Sequence, residues 1–374
     1  MSKIKINILS PGRFHVCDLA RELDKNGFDV KFYSFVPTRR AEIFGLPRRC
    51  SKSLIGILAP FLFLERIVFK HSMWAKRIRI NAQDLLTGWL MRKCDVCIAM
   101  SGDFLYSIAR VKKRGSMVIL ERGSKHILEQ KRILDELKAI QPQIKTVPDI
   151  NVKRELKGYE IADYISIPSG HVKQSFLLHC YPLEKLFLNP YGVDVSMFHP
   201  APSVEKQYDL IMVGGWSLRK GCDLIIEAVR RTGLRFLHVG GIIDIEFPKD
   251  DNFTHIDPVD EKRLIDYYHQ AKVFILPSRE DGFGMVLSQA LACNLPIIGS
   301  PDCGAPDLKK MVEFPEYITI INEYTVDAIC IAIKETLNNY KRIGNILYAG
   351  NALEILTWEA YGNRYARFIN SIIS

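Results

Sequence analysis

From Pro277 to Ser300 the chain reads PSREDGFGMVLSQALACNLPIIGS, and this run restricts the fold more than any other. A buried apolar strand ends at Leu276, a polar loop with two glycines follows, then a helix, then a second strand over 296–299. Gly282 and Gly284 allow a backbone to come close to a ligand, and the helix after them offers unpaired N–H groups to an anion. Asp281 and Gln289 bracket the turn. As bare chemistry this is a phosphate or sugar site at the carboxyl end of a strand, where open α/β sheets bind ligands.

The same alternation of strand, turn and helix recurs along the chain. Residues 3–9 read as a first parallel strand, SPGRFH follows, and a helical pattern through Val16, Leu19, Ala20 and Leu23 stops at Asn26-Gly27. Residues 30–35 form the next strand, 95–100 another that ends in Ser101-Gly102, a helix runs from Phe104, and 117–121 is a further strand. A short strand is expected over 161–168, with Ser169 as N-cap of a helix containing Val172, Phe176 and Leu177. The turn-rich segment NPYGVDVSMFHPAPSVEKQ then marks a linker near position 200. Beyond it a second unit starts with a strand over 208–213, a helix over 222–231, a strand over 235–239, a helix over 261–270 and a strand over 273–276. The pattern from Trp358 to Ile373 suits an amphipathic terminal helix through Tyr361, Tyr365, Phe368, Ile369 and Ile372. The fold class is α/β, with two doubly wound domains over 1–200 and 201–357 and a terminal helix over 358–374.

With 374 residues and 48% hydrophobic content the chain can bury two cores of ordinary size. No stretch reaches the roughly 18 apolar residues of a membrane span, and the N-terminus turns polar too early for a signal peptide, so a cytoplasmic location is expected. Nine cysteines, an odd number with no regular spacing, indicate reduced thiols, with Cys17, Cys180 and Cys293 as packing residues. The net charge of +9 fits nucleic acid, an anionic membrane or phosphorylated substrates, but no nucleic-acid module is visible. Basic residues concentrate only in 51–79, where Lys70, Lys76, Arg77 and Arg79 accompany Trp74 and a long apolar run. This segment is either an amphipathic element lying in an anionic membrane interface or a core helix with a solvated basic edge.

Several residues have the chemistry of an anion and sugar site. Arg219 and Lys220 precede a helix starting near Gly221, where two positive charges and a helix N-terminus together attract a diphosphate. In the first domain the loop 10–15 offers Gly12 for close approach and Arg13 and His15 for anions. The stretch ERGSKH supplies Glu121, Arg122, Ser124 and His126 at the end of a strand. His126 is either a group near the reacting sugar or an ordinary surface histidine, His238 reads as a core histidine, and His255 is undecided. No DxD motif and no Cys/His/Asp cluster with ligand spacing is found, so no metal is expected.

Four segments, in order, resemble those of the GT-B glycosyltransferases, specifically the retaining family 4, also called glycosyl transferases group 1. The opening run is similar to the family's PSxxEGFGxxxxEAxAxGxPV, MVGGWSLRKGCDLIIEA to VGRLxxxKGxDxLIxA, and NPYGVDVSMFHP to the interdomain nGvDxxxFxP. TWEAYGNRYARF resembles the helix that crosses back to the first domain. Asp281 stands for the family's first Glu, Gln289 for its second, and Gly215 where the family has an Arg.

The resemblance implies two Rossmann-like domains facing a cleft, a nucleotide-diphosphate sugar as donor substrate in the second domain, a glycan or lipid-linked acceptor in the first, and no cofactor. Lys220, with Arg219, would neutralise the leaving diphosphate. Asp281 would contact the sugar beside the reacting carbon, with Glu280 in support. Gly215, Gly282, Phe283 and Gly284, with Gly12, would line the donor, and Gln289 would meet the ribose. Arg13, His15, Glu121 and Arg122 would face the acceptor, and His126 is where related enzymes often keep a histidine near the sugar. The expected activity is a retaining transfer in surface polysaccharide or glycolipid assembly. A donor-binding subunit with little activity and a nucleotide-sugar epimerase of the same fold are the alternatives.

Overall fold

The computed structural model describes residues 3–69, 72–343 and 346–373. The first sheet contains β1 (Lys5–Leu9), β2 (Asp29–Ser34), β3 (Ser51–Ser53), β4 (Val96–Met100), β5 (Met117–Glu121), β6 (Tyr164–Ile167) and β7 (Leu186–Leu188). Its spatial order is β3-β2-β1-β4-β5-β6-β7, parallel throughout. The second sheet contains β8 (Tyr208–Val213), β9 (Phe236–Val239), β10 (Phe253–Ile256), β11 (Ala271–Leu276), β12 (Ile297–Gly299) and β13 (Ile318–Ile320). Its order is β10-β9-β8-β11-β12-β13, again parallel.

Parallel strands are covered by helices on both faces, so their residues are buried whichever way they point. Ile6, Ile8, Ile98, Ile211, Phe274 and Ile298 are all fully buried accordingly. In each sheet the strand order reverses once, between β1 and β4 and between β8 and β11, and the crevice outside the carboxyl ends at such a reversal is where these sheets take ligands. The loops there are 10–13 and 101–104 in the first sheet, and 214–217 and 277–284 in the second.

The strongly apolar strands are those anticipated from the sequence. The short β3 (SKS), β7 (LFL), β10 and β13 lack such a signal; they exist because a neighbouring strand offers them a ladder. Ile161 belongs to the helix Asp149–Ile161, so the strand expected from 161 starts only at Tyr164. Ser169 is an N-cap by position, yet its side chain makes no capping bond. The terminal helix Trp358–Ile373 buries Tyr361, Tyr365 and Ile369 completely and lies on the helix Phe14–Lys25. Burial of each such side chain is worth roughly 1.5–3 kcal/mol. Gly362 permits the contact, because a Cβ there would stand 2.3 Å from Glu22 Cβ.

Residues 51–79 become β3, the helix Ile55–Phe63, a π-helical turn Leu64–Val68 and the start of the helix Met73–Leu90. Pro60 lacks the N–H a regular ladder needs, and the wider turn follows it. Leu58 and Ala75 point inward, while Ile57, Phe63, Ile67, Trp74 and Ile78 are exposed. The segment is therefore no core helix. Its basic residues divide: Arg79 pairs with Glu65, Lys76 and Arg77 are exposed, and Lys70 lies outside the described residues. Among the described residues no helix is long and apolar enough to cross a membrane, and no cysteine is paired; Cys17 and Cys293 are buried packing residues, whereas Cys180 is exposed.

Candidate functional site

In the second domain, a 3-10 turn Leu218–Lys220 leads into the helix Cys222–Thr232 through Gly221. Only glycine suits that junction. Its φ is +75°, and a Cβ would meet the Pro277 carbonyl oxygen at 2.3 Å, so the turn carrying Arg219 and Lys220 packs directly on the loop after β11. Lys220 Nζ is ion-paired with Asp281 Oδ2, and Arg219 Nη1 lies 3.1 Å from Glu280 Oε2 and donates to the Glu280 carbonyl at 2.6 Å. Arg279, from the same loop, holds Asp223 with two hydrogen bonds of 2.6 and 2.7 Å. Two helix N-termini, of Cys222–Thr232 and Met285–Ala292, thus flank a compact layer of alternating charge.

Burial disfavours the Asp281 carboxylate, but the charges of Lys220 and Arg219, with hydrogen bonds from Lys220 and the Gly282 N–H, outweigh it and hold its pKa below the ordinary carboxylate range. Glu280 is 1% exposed, and its Oε1 has no hydrogen-bond partner. A buried carboxylate oxygen left without a donor is costly and marks a place where a ligand donor fits.

Gly282 is a glycine for a reason different from the one expected. A Cβ there would sit 1.7 Å from the Gly123 carbonyl oxygen, so the close approach is to the first domain's backbone, and the Gly282 N–H already donates to Asp281 Oδ1 at 2.8 Å. Phe283 is buried and meets Tyr191 edge-on, with ring centroids 6.0 Å apart. Gly284, with φ +75°, is the N-cap of Met285–Ala292. Gly215 lies under Ile243, where a Cβ would come within 3.0 Å of Cγ1. Gln289 is 7% exposed, and its amide oxygen accepts from the Tyr268 hydroxyl at 2.9 Å, which leaves the amide nitrogen as the group able to meet a ligand.

The first domain clamps this loop with residues to which sequence reasoning gave no part in the site. His171 Nε2 donates to the Asp281 carbonyl at 2.8 Å, Ser169 Oγ donates to the Gly282 carbonyl at 2.6 Å, and the Gly170 N–H donates to Asp307 at 3.1 Å. Lys125 Nζ pairs with Asp302 at 2.5 Å, and Asp302 accepts from Tyr324. Burial lowers the pKa of His171, partly offset by its bond to the Asp281 carbonyl, and its Nδ1 lies 3.0 Å from Ser169 Oγ. The available signal was positional: Ser169-Gly170-His171 follows β6 after Pro168, on the same carboxyl-end rim as the other loops.

Other candidates from the first domain are placed differently. Arg13 does reach the interface, 3.1 Å from Glu261 of the second domain, with its guanidinium 3.8 Å over the Phe44 ring; Gly12 beside it packs on Phe14. His15 and Glu121 are 8% and 1% exposed and lie 2.9 Å apart, and Glu121 also accepts from Tyr365 at 2.6 Å. They form a buried junction with the terminal helix rather than an open acceptor surface. Arg122 is spent on Glu155, Gln130 and the Lys125 carbonyl, at 2.7 to 3.0 Å. Ser124 adjoins the Gly123–Gly282 contact.

His126 is 4% exposed and stacked on His179 at 4.3 Å, edge-on to Phe176. Burial, then the His179 and Arg122 charges, push its pKa down to about 3. It is therefore no surface histidine, and its Nδ1 is buried with no hydrogen-bond partner among the described residues. His238 is a core histidine, fully buried, with Nε2 2.8 Å from the Gly214 carbonyl, and His255 is its ring partner at 2.9 Å. Among the described residues no group of three His, Cys, Asp or Glu side chains is arranged to hold a metal ion.

Residues 197–349 match the family model of glycosyl transferases group 1, a stretch that covers the second sheet and its helices. The GDP-mannose-dependent alpha-(1-6)-phosphatidylinositol monomannoside mannosyltransferase of Mycolicibacterium smegmatis is 26% identical over 243 residues, 56% of this chain and 62% of that protein. The chain thus matches less than two thirds of the length of that curated relative. The solved sucrose-phosphate synthase of Thermosynechococcus elongatus superposes with a TM-score of 0.69 at 14% identity, over 99% of both chains. Anabaena HepE, solved in complex with UDP and glucose, gives 0.66 at 12% identity over 98% of this chain and 100% of its own. Fold and motif agree that the chain has the GT-B architecture and that its second domain is a glycosyl transferases group 1 domain.

Proposed function

We propose that the protein is a retaining, metal-independent glycosyltransferase that moves a sugar from a nucleotide-diphosphate donor to a glycan or lipid-linked acceptor in surface polysaccharide or glycolipid assembly. The observation that carries this reading is the charge layer at the domain interface, in which Lys220 and Arg219 stand at a helix N-terminus and are held by Asp281 and Glu280. The donor diphosphate takes the place of the carboxylates on the two cations, and the sugar hydroxyls take up the released carboxylates, including the unpartnered Glu280 Oε1. Charge that develops on the leaving diphosphate is then met by preorganised cations and N–H groups, with no reorganisation at the moment of reaction. His171 is a positioning residue, holding Asp281 through its carbonyl. The UDP and glucose of the HepE complex support a nucleotide-sugar donor.

The exposed apolar face of Ile57, Phe63, Ile67, Trp74 and Ile78 supports a peripheral seat on the cytoplasmic face of a membrane. A panel of nucleotide sugars, each assayed for nucleoside diphosphate release with and without chelator, tests the reading. Release that survives chelation is expected; release that needs added metal, or epimerised donor without release, would refute it. A second reading, a donor-binding subunit with little activity, draws on Gln289, whose amide oxygen is already held by Tyr268. Nucleotide-sugar binding without any release in the panel would favour it.

A further inference from the structure

The nine cysteines are not all alike. Cys94-Asp95-Val96-Cys97 is a C-x-x-C pair at the start of β4, and it lies at the amino ends of β1, β4 and β5, the edge of the first sheet opposite to the carboxyl-end loops. Two residues at this separation in an extended strand point to opposite faces, about 10 Å apart along it. Here the chain bends at Asp95, whose N–H donates to the Lys5 carbonyl at 2.8 Å and whose carbonyl accepts from the Met117 N–H at 2.9 Å. The bend turns Cys94 back, and the Cys97 thiol hydrogen-bonds the Cys94 sulfur. Cys94 Sγ also lies 3.7 Å from Ser116 Oγ, and that hydroxyl donates to the Cys94 carbonyl at 2.7 Å.

The two thiols differ in exposure. Cys97 is fully buried, whereas Cys94 is half-buried and lines a cleft of about 440 Å³. Lys5, Lys93 and Arg114 line the same cleft and are exposed. Asp95 is the one acid among the lining residues, and its carboxylate accepts from the Lys5 backbone N–H at 2.7 Å. Such an excess of positive charge in a concave site concentrates anions. The hydrogen bond from Cys97, with Ser116 and the Asn7 N–H, outweighs burial and lowers the pKa of Cys94, while the same bond and burial raise that of Cys97. Burial pushes Cys17, Cys222 and Cys293 up to about 12 instead. An accessible thiolate beside a buried thiol is the arrangement of an attacking and a resolving cysteine.

We propose that Cys94 and Cys97 form a redox-reversible dithiol that reacts with small anionic disulfides of the glutathione type. The Cys94 thiolate attacks one sulfur of the small disulfide, whose S–S bond breaks, and one thiolate leaves. Cys97 then gives its proton to solvent and attacks the Cys94 sulfur; the mixed disulfide breaks, the intrachain disulfide forms, and the second thiolate leaves. The pair gives up two electrons and two protons, and the small disulfide ends as two thiols. The site lies apart from Lys220 and Asp281, and nothing in it depends on the transferase reading.

Incubation of the full chain with glutathione disulfide and then with dithiothreitol tests it, with an acid quench, alkylation of the free thiols after unfolding, and peptide mapping by mass spectrometry. Cys94 and Cys97 are expected to be lost together as one disulfide and restored by the reductant, while Cys17, Cys222 and Cys293 stay free. Cys97→Ser should stop the reaction at a glutathione adduct on Cys94, and Cys94→Ser should leave Cys97 free. A thermal melt checks the fold of both variants, and the mapping of the wild type decides by itself if either fails to fold. Lys93→Ala/Arg114→Ala should slow oxidation by glutathione disulfide about tenfold and leave oxidation by the cationic disulfide cystamine no slower. The proposal is overturned if Cys94 and Cys97 stay free in the wild type under conditions that modify the exposed Cys180, if an adduct on Cys94 never closes to the intrachain bond, or if Cys97 reacts equally well in Cys94→Ser. Equal slowing with both disulfides would overturn the preference for an anionic one.

Discussion

At the carboxyl ends of the second sheet every cation of the charge layer has its counter-charge in reach: Lys220 holds Asp281, Arg219 holds Glu280 and Arg279 holds Asp223. Around a cleft of the first domain, beside the loop after β4, Lys138, Lys145, Lys153 and Lys157 have no ion pair among the described residues. The two regions are equivalent in topology, each at the carboxyl ends of a doubly wound parallel sheet, yet they treat charge in opposite ways. A compensated layer binds an anion by exchange, so it discriminates by geometry and stays neutral when empty. An uncompensated cleft attracts anions over a distance set by salt.

The sharpest way to break this contrast is Lys220→Ala. Loss of the cation that meets the leaving diphosphate is expected to cut turnover by about 10² or more. An unchanged rate in single-turnover assays would make Lys220 a mere partner of Asp281.

Next in size is Gly282→Ala, which sets a methyl group into the Gly123 carbonyl and forces the domains apart locally. Overpacking of this kind costs about 1–3 kcal/mol. The cost should appear as a loss of turnover of roughly tenfold or more, at the RT ln 10 scale of 1.4 kcal/mol, with little change in the melting of the second domain. Full activity would mean that this contact is not part of the working state.

His171→Ala removes one hydrogen bond to the Asp281 carbonyl, an effect of about 1 kcal/mol. As a positioning residue it should lower kcat several-fold with KM for the donor nearly constant, and His171→Gln should restore part of the loss. An equal change in a purely thermal assay, with kinetics intact, would reduce it to a structural clamp.

The smallest effect on turnover is expected at His126, where the change is read in stability instead. Buried His126 is neutral in the folded chain, with a pKa of about 3 set first by burial, whereas the unfolded chain binds its proton near pH 6.5. The unfolded state therefore holds more protons between these values, and stability is full above about pH 6.5 and falls as pH drops toward 3. His126→Phe should flatten that part of the acid-melting profile while turnover at neutral pH stays the same. A matching loss of turnover would return His126 to the active site.

How far the sequence reached can be read from particular residues. The strands β1, β4, β5, β8 and β11, the helices behind them and the terminal helix from Trp358 follow from apolar runs, helical periodicity and turn residues, which are local properties. Arg219, Lys220, Asp281 and the glycines of the loop were visible because they lie within a few positions of one another in two recognisable segments. The roles of His171, Ser169 and Lys125 were not, since each acts across a domain interface on residues more than a hundred positions away in the chain. His15, Glu121 and Arg122 had the right chemistry for an open site, and only packing against Tyr365 and Glu155 turned them inward.

The sequence by itself determined two parallel sheets and a donor-type turn, because period, propensity and short motifs are written in neighbouring residues. Tertiary structure alone decided that Gly282 serves a backbone contact between domains, that the two cations are held by carboxylates, and that lysines from four separate segments surround one cleft. Those outcomes depend on which distant segments meet, and charge balance, burial and close approach are properties of the meeting rather than of either segment.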